Sequence, residues 1–218
     1  MRNGGHPVTE LPARESRAFL QRAVRFLAEE ARVDQFLDIG AGLPSGGNTH
    51  EIAQRRVPHA RVLYVDNDPA VGVPARALLT GTATYLEEDL RNPGAILDHP
   101  LLKETLDLNR PVGLILIAVL HLLPDQVRAR EIVRELLAAL PSGSYLAATN
   151  PTLDHGTPDT TPAAGRARSR AEFAEFFTGL GLIGPGIVPV SEWLPEVPAH
   201  QRPAPEQVAV YGAVGRKP

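Results

Sequence analysis

An α/β fold, a mostly parallel sheet with helices on both faces, is predicted for this 218-residue chain by three features. Apolar runs alternate with amphipathic stretches through the first two thirds of the sequence. The first run enters a glycine turn, Phe36-Leu37-Asp38-Ile39-Gly40-Ala41-Gly42. The run from Val112 to Val119 is almost wholly apolar, as expected for a central parallel strand covered on both faces.

The elements follow in order. Residues 14–31 place Phe19, Ala23, Phe26 and Leu27 on one stripe, which predicts an amphipathic lead-in helix. Strands are predicted over 35–39, 61–66 and 82–86, with a helix from Thr49 to Arg56 and another from Pro69, suited to a first turn, to Leu79. Asn92-Pro93 opens a helix toward Leu102, and Val112–Val119 forms the middle of the sheet. A helix over 124–140 is stopped by Pro141-Ser142-Gly143 before a strand over 144–148. Residues 150–168 lack periodicity and read as a long loop over the strand ends, a candidate substrate lid. Ser169 caps a helix through Leu180, and strands over 186–190 and 207–215 enclose a Pro-rich loop. The sum is seven strands, the last pair added antiparallel in the manner of a hairpin. One domain is expected over 1–218: a lead-in helix (1–34), a core (35–150), a loop (151–168) and a C-terminal helix and strand pair (169–218).

Composition excludes several classes. The net charge is −3 and no basic block occurs, so a nucleic-acid surface is not expected. Cysteine is absent, which removes disulfides, thiolate metal sites and a cysteine nucleophile and suits a reducing cytoplasm. The N-terminus lacks an apolar signal core, and the run from Val112 to Leu120 is too short to span a bilayer. A cytoplasmic protein without membrane contact is the expectation.

The glycine turn indicates chemistry. Glycines let the backbone turn sharply and approach a ligand, and Asp66 ends the next apolar run 24 residues after Gly42, close to the roughly 20-residue spacing of an acid that hydrogen-bonds a ribose. A dinucleotide site would ask for a third glycine where Ser45 stands, and Asp38 at the mouth of the turn would repel a pyrophosphate. S-adenosylmethionine carries no phosphate, and its ammonium and sulfonium suit carboxylates. The cofactor expected is therefore S-adenosylmethionine, with an NAD-dependent oxidoreductase as the disfavoured alternative.

With Gln35 to Pro44 are found Gly47-Asn48-Thr49-His50-Glu51, Tyr64-Val65-Asp66-Asn67-Asp68-Pro69 and Ala118-Val119-Leu120-His121. Arg17-Ala18-Phe19-Leu20, Asp89-Leu90-Arg91 and Tyr211-Gly212-Ala213-Val214-Gly215-Arg216-Lys217 complete the set. Together these closely resemble an actinobacterial S-adenosyl methyltransferase family first catalogued as a domain of unknown function, and the likeness runs from about Glu15 to the end. The resemblance implies a Rossmann-like class I methyltransferase fold. It places Asp38, Gly40 and Gly42 around the methionine part of the cofactor, Asp66 on the ribose, Asp89 and Leu90 beside adenine, and Ala118, Val119 and His121 in the pocket floor. Arg17, Leu43, Pro44, Asn48, Thr49 and Asn67 join the cofactor-binding set by the same likeness.

Two departures from the family pattern bear on activity. The resemblance implies an N-terminal segment with a Gly-Gly-Lys-x-Asn-like stretch, usual in the family, of which Gly4-Gly5 is at most a remnant, and a longer stretch than the one here between Asn150 and Arg168. An exposed cofactor is less protected from side reactions, so a degenerate binding protein without catalysis is the alternative function. Single residues also have plain structural roles. His121 is the candidate general base, though a histidine at a buried strand end is also explained by packing. Asn48 and Thr49 suit a helix N-terminus, Asp68 an N-cap, and Glu87-Glu88 a solvated edge. His50, His59, His99, His155 and His200 are scattered, so no metal site is expected. Trp193 is either a roof over the substrate pocket or a packed aromatic. The function expected is methyl transfer to an oxygen or nitrogen nucleophile of a small molecule.

Overall fold

The computed structural model describes residues 7–43, 46–72, 82–155 and 165–218, with side chains from residue 11 onward. Its sheet is built from β1 (Gln35–Ile39), β2 (Arg61–Asp66), β3 (Ala83–Glu87), β4 (Gly113–Leu116), β5 (Tyr145–Pro151), β6 (Gly181–Leu182), β7 (Val188–Pro189) and β8 (Val210–Arg216). The strand order is β3-β2-β1-β4-β5-β8-β6, with β7 also on β8. The strands β1 to β5 pair in parallel, whereas β8 runs antiparallel to β5 and to both short strands. The chain thus winds outward from β1 to β3 and returns to β4, so the topological switch lies between β1 and β4, where such sheets bind ligands at the strand carboxyl ends.

Alternation along each strand sends side chains to two packed faces. Leu37, Ile39, Leu63, Val65, Leu114 and Leu116 point to one, covered by α5 (Gln126–Ala139) through Ile132 and Leu136 and by α6 (Arg170–Ala174) through Phe173. Phe36, Val62, Tyr64, Ile115 and Ala147 point to the other, covered by α1 (Pro7–Glu29) and α2 (Thr49–Gln54). By the same alternation Asp38 faces α1 and α2, and this carboxylate is buried because of its place in β1.

Several boundaries differ from the sequence expectation, and β4 stops at Leu116, ahead of the positive-φ turn at Ala118, rather than running from Val112 to Val119. The lead-in helix starts at Pro7 although Pro12 lies inside it; Pro12 lacks one intrahelical donor, too small a loss to break a helix anchored by Phe19, Ala23 and Leu27. The helix expected from Asn92 to Leu102 is two, α3 (Pro93–Asp98) and α4 (Pro100–Thr105), because Pro100 pushes His99 into the extended region. The helix after Ser169 ends at Ala174 and continues as a single 3-10 turn, Glu175–Phe177. The sheet carries one more short strand than the seven expected, β6, and β7 is shorter than expected. The helix expected from Pro69 is described only over residues 69–72, and its remainder to Leu79 lies outside the described residues. A last helical turn, α7 (Pro205–Val208), leads into β8.

Candidate functional site

The glycine turn after β1 is tied to β2. Gly40 has φ +77° and its N–H donates to the Val65 carbonyl at 2.8 Å. A Cβ there would lie 2.6 Å from Val119 Cγ2, so only glycine admits this approach of the β1 turn to the segment after β4. Gly42 donates its N–H to Asp66 Oδ2 at 2.8 Å, while Asp68 N–H donates to Asp66 Oδ1 at 2.9 Å. Two backbone donors therefore fix the Asp66 carboxylate at the end of β2. Asp68 in turn accepts from Ala70 N–H at 2.9 Å, the N-cap arrangement expected of it.

On the α1 side of the turn, Asp38 is 6% exposed and its Oδ2 accepts from Thr49 Oγ1 at 2.6 Å. Burial pushes the Asp38 carboxyl up to about 6, against the hydrogen bond from Thr49 and the nearby Arg17 charge, which favour its ionised form. Arg17 reaches from α1 to donate to Asn48 Oδ1 at 2.7 Å. Asn48 stands at the α2 N-cap without a side-chain capping bond; its Nδ2 donates to Glu51 Oε1 at 2.9 Å, and Glu51 Oε2 accepts from Gly47 N–H at 2.7 Å. These contacts lash the lead-in helix to the glycine loop. A ligand ammonium near Asp38 would favour its ionised form as well.

A cavity of about 250 Å³ opens at the switch point, lined by Ile39, Gly40, Asp66, Asn67, Glu88, Asp89, Leu90, Arg91, Val119, Leu122 and Leu123. It lies near the lower bound of the roughly 300–1,000 Å³ usual for small-molecule sites. Asn67 Nδ2 donates to Asp89 Oδ2 at 2.9 Å. The Arg91 side chain grips the same carboxylate through Nε at 2.9 and 3.0 Å and holds it down at about 2. Of the sequence-predicted residues, Gly40, Asp66, Asn67, Asp89, Leu90 and Val119 share this cavity.

The remaining ones surround it or stand apart. Gly42, Asp38, Thr49, Asn48 and Arg17 form the adjoining polar cluster. Leu43 is exposed, and Pro44 lies outside the described residues. Ala118 turns the chain at φ +53° while its N–H donates to Thr149 Oγ1 at 2.9 Å. His121 is not among the residues lining the cavity: its carbonyl accepts from Arg166 N–H at 2.7 Å and its ring lies against Gly165. Burial and the Arg168 charge both push its pKa down. Trp193 is fully buried between Phe19 and Phe26 of α1, at centroid distances of 5.3 and 6.0 Å, and is a packed aromatic. Among the described residues no group of His, Asp and Glu could hold a metal ion, and no helix is long and apolar enough to cross a membrane.

Sequence reasoning missed Leu122 and Leu123 of the cavity wall and, behind them, Arg168. This arginine is 1% exposed and donates to four acceptors on three segments. Arg166 and Arg168 stand in a Pro-, Thr- and Ala-rich stretch without periodic signal, so nothing in the sequence separates the buried one from a solvated charge.

These features fit S-adenosylmethionine on the structure's own terms: a glycine cradle that a Cβ would fill, fixed Asp66 at the β2 end, buried Asp38 beyond the turn, and an acidic wall facing a cationic ligand. The comparisons agree. Residues 4–218 match the family model described as S-adenosyl methyltransferase. A DUF574 family protein from Streptomyces avermitilis is 44% identical with a TM-score of 0.92, over 98% of this chain and 86% of that one. A protein from Thermobifida fusca assigned to the methyltransferases is 36% identical with a TM-score of 0.89, over 97% of this chain and 83% of that one. The N-methyltransferase NodS from Bradyrhizobium japonicum, in complex with S-adenosylhomocysteine, shares the fold at 14% identity and a TM-score of 0.54, over 91% of this chain and 85% of that one. No curated protein matches the chain. The glycine turn, the acid after β2 and the class I methyltransferase sheet thus belong to a chain that is a member of the S-adenosyl methyltransferase family and uses S-adenosylmethionine.

Proposed function

We propose that this methyltransferase acts on an oxygen or nitrogen nucleophile of a small molecule, and that the cavity between β1, β2 and β4 takes the nucleoside half of its cofactor. When bound, the cofactor supplies an electrophilic methyl group on a sulfonium. In this reading the Asp66 carboxylate accepts hydrogen bonds from the ribose hydroxyls, a role for which the Gly42 and Asp68 N–H groups have already oriented it. Asn67, Asp89 and Leu90 flank the base, with Asp89 held in place by Arg91. Asp38, Gly40 and Gly42 receive the amino-acid end, supported by Thr49, Asn48 and Arg17. The observation that carries the reading is Asp66, fixed by two backbone donors on the wall of the switch-point cavity.

In-line methyl transfer depends chiefly on positioning the nucleophile against the sulfonium, so a general base is not required of every acceptor. His121 fits that role poorly, since its ring is turned toward Gly165. A nitrogen or oxygen acceptor accords with the N- and O-methyltransferases that share the fold. Calorimetric titration with S-adenosylmethionine, S-adenosylhomocysteine and NAD tests the cofactor part. Micromolar binding of the first two is expected, and Asp66→Ala should weaken both at least tenfold; unchanged affinity would remove the ribose role, and binding of NAD alone would overturn the reading. A screen of phenolic, hydroxyl and amine acceptors with radiolabelled donor tests the substrate part.

A further inference from the structure

Among the described residues no carboxylate forms an ion pair with Arg168, and the charge of Glu172 acts on it only at a distance. Its Nε donates to Gln126 Oε1 at 2.6 Å, Nη1 to the Leu120 carbonyl and to Asn150 Oδ1, both at 2.9 Å, and Nη2 to the Leu123 carbonyl at 2.6 Å. Its face lies 5.1 Å from the Phe176 ring centroid, and its own N–H donates to the Pro151 carbonyl at 2.9 Å. The carboxylate closest along the chain, Glu172, is engaged by Arg166 and by Ser169. Burying a guanidinium is costly unless its donors are met, and here four neutral acceptors meet it in the plane and an aromatic covers its face.

The position of those acceptors gives the arrangement a use. Leu120 and Leu123 bracket the 3-10 turn after β4, which supplies Leu122 and Leu123 to the cavity wall. Gln126 opens α5, and Asn150 lies one residue before the end of β5. Only a planar fork with donors on three sides reaches all of them at once. Among the described residues the other bonds of this turn are local or come from Arg166: Leu122 N–H to Val119 and Leu123 N–H to Leu120 close it on itself, Arg166 N–H holds the His121 carbonyl, and Arg166 Nη1 donates to the Pro124 carbonyl at 2.9 Å.

We propose that Arg168 is a positioning residue of the cofactor site: by gripping the Leu120 and Leu123 carbonyls from behind, it sets the turn whose Leu122 and Leu123 form the wall against the nucleoside. It touches no ligand and acts through those two leucines. The proposal rests on the assignment of the cavity to the nucleoside half of the cofactor. A purely structural staple would lower stability and leave the affinity of the folded chain unchanged; a positioning residue changes affinity for every ligand that contains the nucleoside, by one common factor.

The test is calorimetric titration of the full chain, Arg168→Met and Arg168→Lys with S-adenosylhomocysteine and with 5′-methylthioadenosine, which lacks the amino-acid end, each well below the melting midpoint of the variant. Arg168→Met is expected to weaken both ligands equally, at least tenfold. Arg168→Lys, which keeps the charge and fewer directed donors, should fall between. Binding of both ligands within twofold of the parent, with only the midpoint lowered, overturns the proposal. If Arg168→Met does not fold, Arg168→Lys decides: an equal loss of threefold or more on both ligands supports the positioning role, and a smaller or unequal loss overturns it. A parent chain that binds neither ligand overturns the cavity assignment and this proposal with it.

Discussion

Asp38 combines two demands that pull in opposite directions. Burial between β1 and α1 raises its pKa to about 6, while the ligand ammonium proposed to lie beside it would favour the ionised form. Because the folded chain holds this proton more tightly than an unfolded one, the associated stability is complete below the ordinary aspartate value of 3.8 and is lost as pH rises through about 6. The loss is on the order of 3 kcal/mol. Asp38→Asn should therefore melt at a higher temperature than the parent at pH 8 and at nearly the same temperature at pH 4, read by calorimetric scanning. The same variant should bind S-adenosylmethionine at least tenfold more weakly at pH 8, and parental affinity should fall as pH drops below 6. A variant less stable than the parent at pH 8 would refute the burial account.

At the level of elements, two arginines of α1 tie it to different parts of the fold. Arg17 reaches the loop before α2, and Arg22 donates to the carbonyls of Trp193 and Val190 at 2.8 and 2.6 Å, so one helix braces both the glycine loop and the segment before β8. Trp193 fills the space between that segment and Phe19 and Phe26. Trp193→Ala should lower stability by about 3–5 kcal/mol, measured by urea unfolding. Binding of S-adenosylmethionine by the fraction that remains folded should weaken too, since the helix that loses its anchor carries Arg17. The elements that sequence patterning revealed are those whose side chains repeat at a fixed period: the stripe of α1, the run into Gly40, and the apolar strand β4. Those it missed or misjudged are set by single contacts. The break at His99-Pro100, the early start before Pro12 and the two-residue β6 depend on what each residue meets in the fold, and no periodicity announces that.

For the molecule as a whole, the order of strands explains why half of the site could be read from the sequence. A doubly wound sheet gathers the residues that follow its strands at their carboxyl ends, so Gly40, Asp66, Asp89 and Val119, separated widely in sequence, converge because each ends or follows an apolar run. Residues that support the site from behind are not marked in this way. Arg168 reaches the β4 turn across 45 and 48 residues of sequence, and Glu51 and Asn48 act through a network whose members look like ordinary helix-start residues. The wall of the cavity also carries an unequal distribution of charge: three carboxylates, Asp66, Glu88 and Asp89, and a single guanidinium, Arg91, which is paired with Asp89. The methyl donor loses its positive charge when it reacts. With the cofactor in this cavity as proposed, the anionic wall favours the charged sulfonium over the spent, neutral thioether, and the preference is electrostatic, so dissolved ions reduce it. The preference for donor over product should shrink as salt rises from 0.02 to 0.5 M, roughly from a 20 Å to a 4 Å screening length. A preference independent of salt would mean that shape, not charge, clears the exhausted cofactor from this enzyme.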